Sequence, residues 1–246
     1  LTSSVRGLLR QMYEGYAASV GLDPEARYLH GTPLRPVVPL DVGSGDVFVL
    51  GAYPSARFAT IRGVADVPVA DNLGPFEQER WFDGTRVREQ PSARELHDLL
   101  LQPLGLQRER CWITDLVKVF LFKPGHLRRY ERLGARAPDG YLRERFAELG
   151  RRSLPWIERE LAVARPTLVV TLGAEVAGVL RGVTSASAQT RLLEPRVLTL
   201  ALGAVKVPAV HCAHPGILMR PGPRNPWPAR HRQAFLPLLR RLLRAG

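Results

Sequence analysis

Five short apolar runs, separated by segments with helical spacing, constrain this chain more than any other feature. They are Asp46–Ala52 (DVFVLGA), Cys111–Val119 (CWITDLVKV), Thr167–Leu172 (TLVVTL), Arg196–Ala201 (RVLTLA) and Val205–Cys212 (VKVPAVHC). Runs this short, apolar on successive residues, are read as strands, several of them buried on both faces as in a parallel sheet. Between them Val5–Val20 places Leu8, Leu9, Met12, Tyr13 and Tyr16 near helical spacing. Ser92–Leu104 opens with Ser92-Ala-Arg-Glu95, a capping-box pattern in which Ser and Glu satisfy orphan amides. Asp139–Val163 is expected to be helical with a break at Pro155, which brings no N–H to the ladder. Ala174–Leu180 follows Gly173 directly, and Ala229–Leu243 closes the chain. Strands alternating with helices predict an α/β protein, a three-layer α/β/α sandwich around a mostly parallel sheet of about four to five strands. The Pro/Gly-rich pieces Gly31–Gly45 and Pro221–Pro228 read as loops, and residues 1–246 are expected to form one domain.

Composition narrows the function classes. No run of 18 apolar residues is present, so no membrane span is predicted. No basic-then-apolar leader opens the sequence, and a cytoplasmic monomer is the expectation. Two cysteines, Cys111 and Cys212, make neither a disulfide framework nor a metal knuckle. A four-thiolate iron–sulfur cluster cannot be built from them, so no cofactor and no metal are expected. The net charge is +12 and unevenly spread: after Glu194 there is no acid, but there are Lys206 and eight arginines. Codon bias explains Arg over Lys, but not the missing acids. A surface of one sign attracts polyanions, which points to a nucleic-acid partner.

In such a sheet a ligand lies outside the carboxyl ends of the strands. The first strand ends in Gly51-Ala52-Tyr53-Pro54-Ser55, with neither a dinucleotide nor a Walker glycine pattern. Gly51 permits a sharp exit and Pro54 fixes φ, so the turn can be rigid. Asp115 is a lone acid in an apolar run; its burial is costly unless it pairs with Lys118 or backbone amides, or serves a function. His214 follows the last strand, held by Pro215 and leading into a basic, Pro-rich loop, whereas His211 lies inside the strand and reads as buried.

Taken in order, "VFVLGAYPS", "LGPF", "CWITDLVKV", "RPTLVVTLGAEVAGVL" and "HPGILMR" span residues 47 to 220. Together they resemble the uracil-DNA glycosylase superfamily, closest to the bacterial and archaeal branch that carries an iron–sulfur cluster. The resemblance implies a DNA glycosylase that flips out and excises uracil or another damaged base, or a silent DNA-binding relative. By it, Gly51, Ala52, Tyr53, Pro54 and Ser55 line the pocket and Phe76 stacks on the extruded base. Asp115 matches an Asn that reads the base edge, and His214 the histidine that bonds uracil O2; these two are the catalytic candidates. The Ile217–Arg220 stretch matches the loop that enters the minor groove of damaged DNA, with Leu218 and Met219 as its apolar wedge and Arg220 and Arg224 as DNA-binding candidates.

The chemistry suits such residues. Extruding a nucleotide costs a few kcal/mol, which a basic surface, an apolar wedge and a stacking aromatic offset. Cleaving the N-glycosidic bond leaves negative charge on the base, where an aimed donor is worth about 3–4 kcal/mol. The sequence departs from the family at three places. Ala52 and Tyr53 cannot act as the usual carboxylate, and Asp71, Glu77 and Asp83 stand near enough in sequence to substitute. Val119 occupies a position where that branch often has a cluster Cys. Asp115 replaces an amide, and an ionised carboxylate only accepts hydrogen bonds.

Overall fold

The computed structural model describes residues 2–220 and 222–245. Leu1 and Gly246 of the expected 1–246 domain, and Pro221 of the expected Pro221–Pro228 loop, lie outside the described residues. Helix α1 (Ser3–Ser19), capped by the Thr2 hydroxyl, precedes β1 (Val47–Gly51). Two hairpins follow, β2 (Ala56–Ile61) with β3 (Val64–Asp71) and β4 (Arg80–Phe82) with β5 (Val87–Glu89). Helix α2 (Pro91–Leu96) runs through a π-helical turn into α3 (Gln102–Leu104), and then comes β6 (Trp112–Asp115). Helices α4 (Pro124–Arg132) and α5 (Phe146–Ala164) lead to β7 (Leu168–Leu172). After α6 (Ala174–Arg181) and α7 (Ala186–Arg191) come β8 (Leu198–Leu202) and β9 (Val205–Cys212). The remaining helices are α8 (Pro215–Leu218), α9 (Trp227–Arg230) and, beyond a second π-helical stretch, α10 (Leu236–Ala245).

The apolar runs pair into a five-stranded sheet in the order β6-β1-β7-β9-β8, parallel except for β8, which runs antiparallel to β9. Every residue of β1, β6 and β7 is buried, as strands covered on both faces require. Alternation along β1 divides the core. Phe48 and Leu50 face α1 and α5, while Val47 and Val49 face the α2–α3 segment and the C-terminal helix. The result is the expected three-layer α/β/α sandwich. The exposed side of β6 is covered by the preceding loop, where Ile113 N–H donates to Asp41 O at 3.0 Å and Gly43 N–H to Cys111 O at 2.9 Å. A Cβ on Gly43 would lie 2.7 Å from Arg110 Cα, so only glycine lets the loop approach. Among the described residues no helix is long and apolar enough to cross a membrane.

Four local expectations are corrected. The strand expected over Cys111–Val119 ends at Asp115, after which Leu116 and Val117 donate to Gly51 O and Ala52 O, each at 2.9 Å. Ser92 and Glu95 form no capping box: the N-cap is Gln90, and Pro91 fills the first helical position, where no N–H is needed. The long helix starts at Phe146, not Asp139, and continues through Pro155. Pro155 and Arg151 both lie on its exposed face, where water reaches the carbonyl that Pro155 leaves free. The last helical stretch starts at Trp227 instead of Ala229.

Candidate active site

The carboxyl ends of β6, β1, β7 and β9 open into a cleft of about 1360 Å³. It is roofed by the two hairpins, which contribute Phe58, Trp81 and Arg88 to its lining. Gly51, Asp115 and Phe76 meet at one end. A Cβ on Gly51 would lie 2.6 Å from the Phe76 ring, and the same point is occupied by Asp115 Oδ1, so this close approach needs glycine. Phe76 sits at φ +55°, a left-handed conformation that costs a non-glycine residue about 1–3 kcal/mol. Arg108 holds the segment by donating to Pro75 O and Glu77, each at 3.3 Å.

Asp115 is 2% exposed, and its Oδ1 has no hydrogen-bond partner. The anticipated pairing with Lys118 is absent. Lys118 Nζ donates instead to Thr114 Oγ1 and to Asp115's own carbonyl, each at 2.6 Å, and pairs with Glu160. Lys118 and Glu160 are both fully buried, and Glu160 also accepts Trp112 Nε1–H at 2.8 Å. The backbone N–H of Lys118 donates to the Tyr16 hydroxyl at 3.0 Å. With the ammonium committed to Glu160, burial raises the Asp115 carboxyl to about 7; Lys118 opposes this and Glu160 adds to it. Asp115 can therefore hold a proton far nearer neutrality than an exposed aspartate does.

The turn after Gly51 carries no acid. Ala52 lines the cleft while its carbonyl binds Val117. The Tyr53 ring packs 5.9 Å from Phe146 under the Arg143 guanidinium, 5.2 Å above it, and forms a fixed wall with Pro54 and Ser55. The three acids near "LGPF" are all engaged elsewhere and none lines the cleft. Asp71 accepts from the Tyr28 hydroxyl at 2.7 Å and Arg35 N–H at 2.8 Å, Glu77 from Arg108, and Asp83 from Thr85, Arg86 and Arg88.

At the other end of the cleft His214 caps α8, its Nδ1 accepting Gly216 N–H at 3.0 Å. Burial, with Lys123 and Arg220 nearby, lowers its pKa from the ordinary value. The ring is therefore neutral and carries its proton on Nε2, as a donor. Its strand ends two places from β1 and three from β6. At ordinary strand spacing the Asp115 and His214 ends stand roughly 14 Å apart, with Phe76 on the Asp115 side. His211, as expected, is buried in β9, bonded to Thr171 Oγ1 at 2.8 Å and to Arg181 at 3.2 Å.

The loop after His214 divides differently from expectation. Leu218 is not a wedge: it is 6% exposed and packs with Leu193 and Ala213. One turn of helix instead leaves Ile217 and Met219 outside, 37% and 45% exposed. Arg220 reaches the cleft, Arg224 is exposed beyond it, and Asn225 ties the loop by donating to Ile217 O at 2.8 Å and Arg220 O at 2.9 Å.

Sequence reading missed Asn72, Glu95, Lys123, His126 and Arg143, all in the cleft lining. Asn72 is 7% exposed with Oδ1 unpartnered. His126 packs against Phe58 and Phe120 at 5.5 and 5.4 Å, and burial lowers it to about 4. Only Glu95 left a signal, and its position beside Ser92 offered a local explanation that the structure does not bear out. The residues do not suit an iron–sulfur cluster. Cys111 and Cys212 lie at the start of β6 and the end of β9, with β1 and β7 between, and burial pushes both thiols up to about 12. Among the described residues, no group of three or more His, Cys, Asp or Glu side chains is placed to hold a metal.

A family model described as the Uracil DNA glycosylase superfamily matches residues 43–240. None of the curated proteins compared with the chain matches it.

Proposed function

The chain belongs to the uracil-DNA glycosylase superfamily, and from that premise we propose that it excises uracil or another deaminated base from DNA by hydrolysing the N-glycosidic bond. The observation that carries this reading is the unpartnered Asp115 carboxyl beside Phe76, across the cleft from the neutral His214 donor. A flat base held against Phe76 meets a hydrogen-bonding group at each edge. His214 Nε2–H bonds the O2 carbonyl, where charge collects as the bond to the sugar breaks. Asp115 reads the opposite edge. Protonated, it offers one donor and one acceptor, as an amide does, and so accepts N3–H while donating to O4. Ionised, it repels O4 and favours a base with an amino group beside the ring nitrogen. Lys123, Arg143 and Arg220 line the cleft, where their charge favours the phosphates flanking the extruded nucleotide. Ile217 and Met219 are the apolar side chains available to fill the vacated stack.

A second reading is a binding protein that has lost its chemistry, favoured by the acid-free Ala52–Tyr53 turn. Base release separates the two. Oligonucleotides carrying uracil, hypoxanthine or xanthine, single-stranded and in duplex, are incubated at pH 6 and pH 8 and then cleaved by alkali at abasic sites. The glycosylase reading expects release of one lesion, abolished in His214→Ala with DNA binding kept. Salt-sensitive DNA binding without any release refutes it in favour of the second reading.

A further inference from the structure

The glycosylase reading leaves the attacking water without a base, and the cleft narrows the choice. Five carboxylates line it: Asp66, Glu89, Glu95, Asp115 and Glu175. Three are committed to arginines, Asp66 to Arg88 at 2.7 Å, Glu89 to Arg80 at 3.1 Å and Glu175 to Arg143. Among the described residues the side chains of Asp115 and Glu95 make no hydrogen bond or ion pair.

Position distinguishes these two. Asp115 stands at the end of β6, across β1 and β7 from the strand that leads to His214. Glu95 stands at the His214 end of the cleft, across Gly216 from the Nδ1 edge of the ring. Its Oε2 lies 3.9 Å from the point where a Cβ on Gly216 would be, and that point is 3.2 Å from His214 Nδ1. Because residue 216 is glycine, no side chain from it separates carboxylate and imidazole. In a pyrimidine, the carbon bearing O2 is bonded to N1, the atom attached to the sugar. The group that holds O2 therefore stands on the side of the bond that breaks, and a carboxylate at that end of the cleft is the nearer of the two to the sugar carbon. Asp115, at the far edge of the base, does not.

We propose that Glu95 is the carboxylate that activates the attacking water, taking over the task left vacant in the Gly51–Ser55 turn. This rests on the glycosylase reading. The C1′–N1 bond breaks with its electron pair going to the base, whose charge on O2 is held by His214 Nε2–H. The water oxygen bonds to C1′ and gives a proton to Glu95, which passes it through solvent to the base, so the products are an abasic sugar and a neutral base. Before water arrives, the same carboxylate faces the positive charge growing on the sugar. Burial raises the Glu95 carboxyl above its ordinary value, with Arg94 and Arg220 opposing, which makes it a stronger base than an exposed glutamate.

The test is single-turnover base release from the uracil oligonucleotides, whose O2 is the atom that His214 would hold. Native protein is compared with Glu95→Gln, Glu95→Asp and His214→Ala, and binding of the same oligonucleotides is followed by fluorescence anisotropy. Glu95→Gln is expected to slow release by roughly 10²–10⁴-fold while binding is kept. The native rate is expected to fall at acid pH as Glu95 takes up a proton, Glu95→Gln should abolish that fall, and Glu95→Asp should restore part of the rate. A Glu95→Gln rate within about threefold of native, with His214→Ala impaired, removes Glu95 and leaves the glycosylase reading standing. Absence of uracil release by the native chain overturns the proposal, and absence of release from every lesion overturns both.

Discussion

Replacing Asp115 with Asn should stabilise the protein, and the gain should depend on pH in a defined direction. The carboxyl is held 2% exposed without a partner for Oδ1, and burial raises it from 3.8 to about 7. In the unfolded chain it loses its proton near 3.8; in the folded chain it keeps it to about pH 7. Between these values the folded state binds more protons, so stability falls as pH rises, and the full cost is present above pH 7. At about 1.36 kcal/mol per unit, the cost at pH 8 is on the order of 4 kcal/mol. Asn has nearly the same shape and no charge to bury. Urea unfolding of the two proteins between pH 4 and pH 8 measures the difference, read from midpoints at unchanged slope. The variants should coincide near pH 4 and diverge to several kcal/mol in favour of Asn by pH 8. A destabilised Asn variant at pH 8 would refute the reasoning. That result would mean Lys118 balances Asp115, and breaking a buried pair costs about 3–5 kcal/mol.

Two further outcomes follow from the same end of the cleft. Lys118→Met leaves Glu160 buried without its ammonium and should cost about 3–5 kcal/mol in urea unfolding, whereas a Lys118→Met/Glu160→Met double variant should recover part of the loss. Gly51→Ala places a methyl 2.6 Å from the Phe76 ring. It should cost about 1–3 kcal/mol of stability and displace that ring; unimpaired base release by this variant would show that the Gly51–Phe76 contact does not shape the pocket.

The sheet was legible because burial on both faces leaves a plain mark: Val47–Leu50 and Leu168–Val170 can hardly be anything but interior strands. The roof was not. β2 and β3 carry Arg57, Asp66 and Pro68 and pair through two register shifts, and β4 and β5 are three residues each with charged neighbours, so no period survives. At the site, Asp115 stood out as an acid in an apolar run, Gly51 and His214 stood out at strand ends, and Phe76 was legible only through the family resemblance of "LGPF". Glu95 and Lys123 did not, since acids and lysines on helical surfaces are ordinary and only tertiary packing turns them into the cleft. Leu218 shows the converse: its type suited a wedge, but the single turn of helix that leaves its neighbours Ile217 and Met219 outside points it inward.

The absence of an acid from the Gly51–Ser55 turn has a physical logic once Asp115 is considered beside it. The ends of β1 and β6 are neighbours, with Gly51 paired to Asp115. A carboxylate at residue 52, half-buried in the cleft lining, would stand near a second one across roughly one strand spacing, about 5 Å. Two such groups cannot both ionise, and one would be driven to hold a proton well above neutrality. Lys118 offers only partial relief, because Glu160 shares its charge. A chain that reads the base with Asp115 is therefore better served by an uncharged turn, with Tyr53 clamped as a wall by Phe146 and Arg143. Any second acid then belongs at the His214 end, near the Lys123 and Arg220 charges that already act on that histidine. Reading and hydrolysis would stand at opposite ends of the cleft, so that restoring an acid at Ala52 alone, without Asp115→Asn, should hinder the site instead of repairing it.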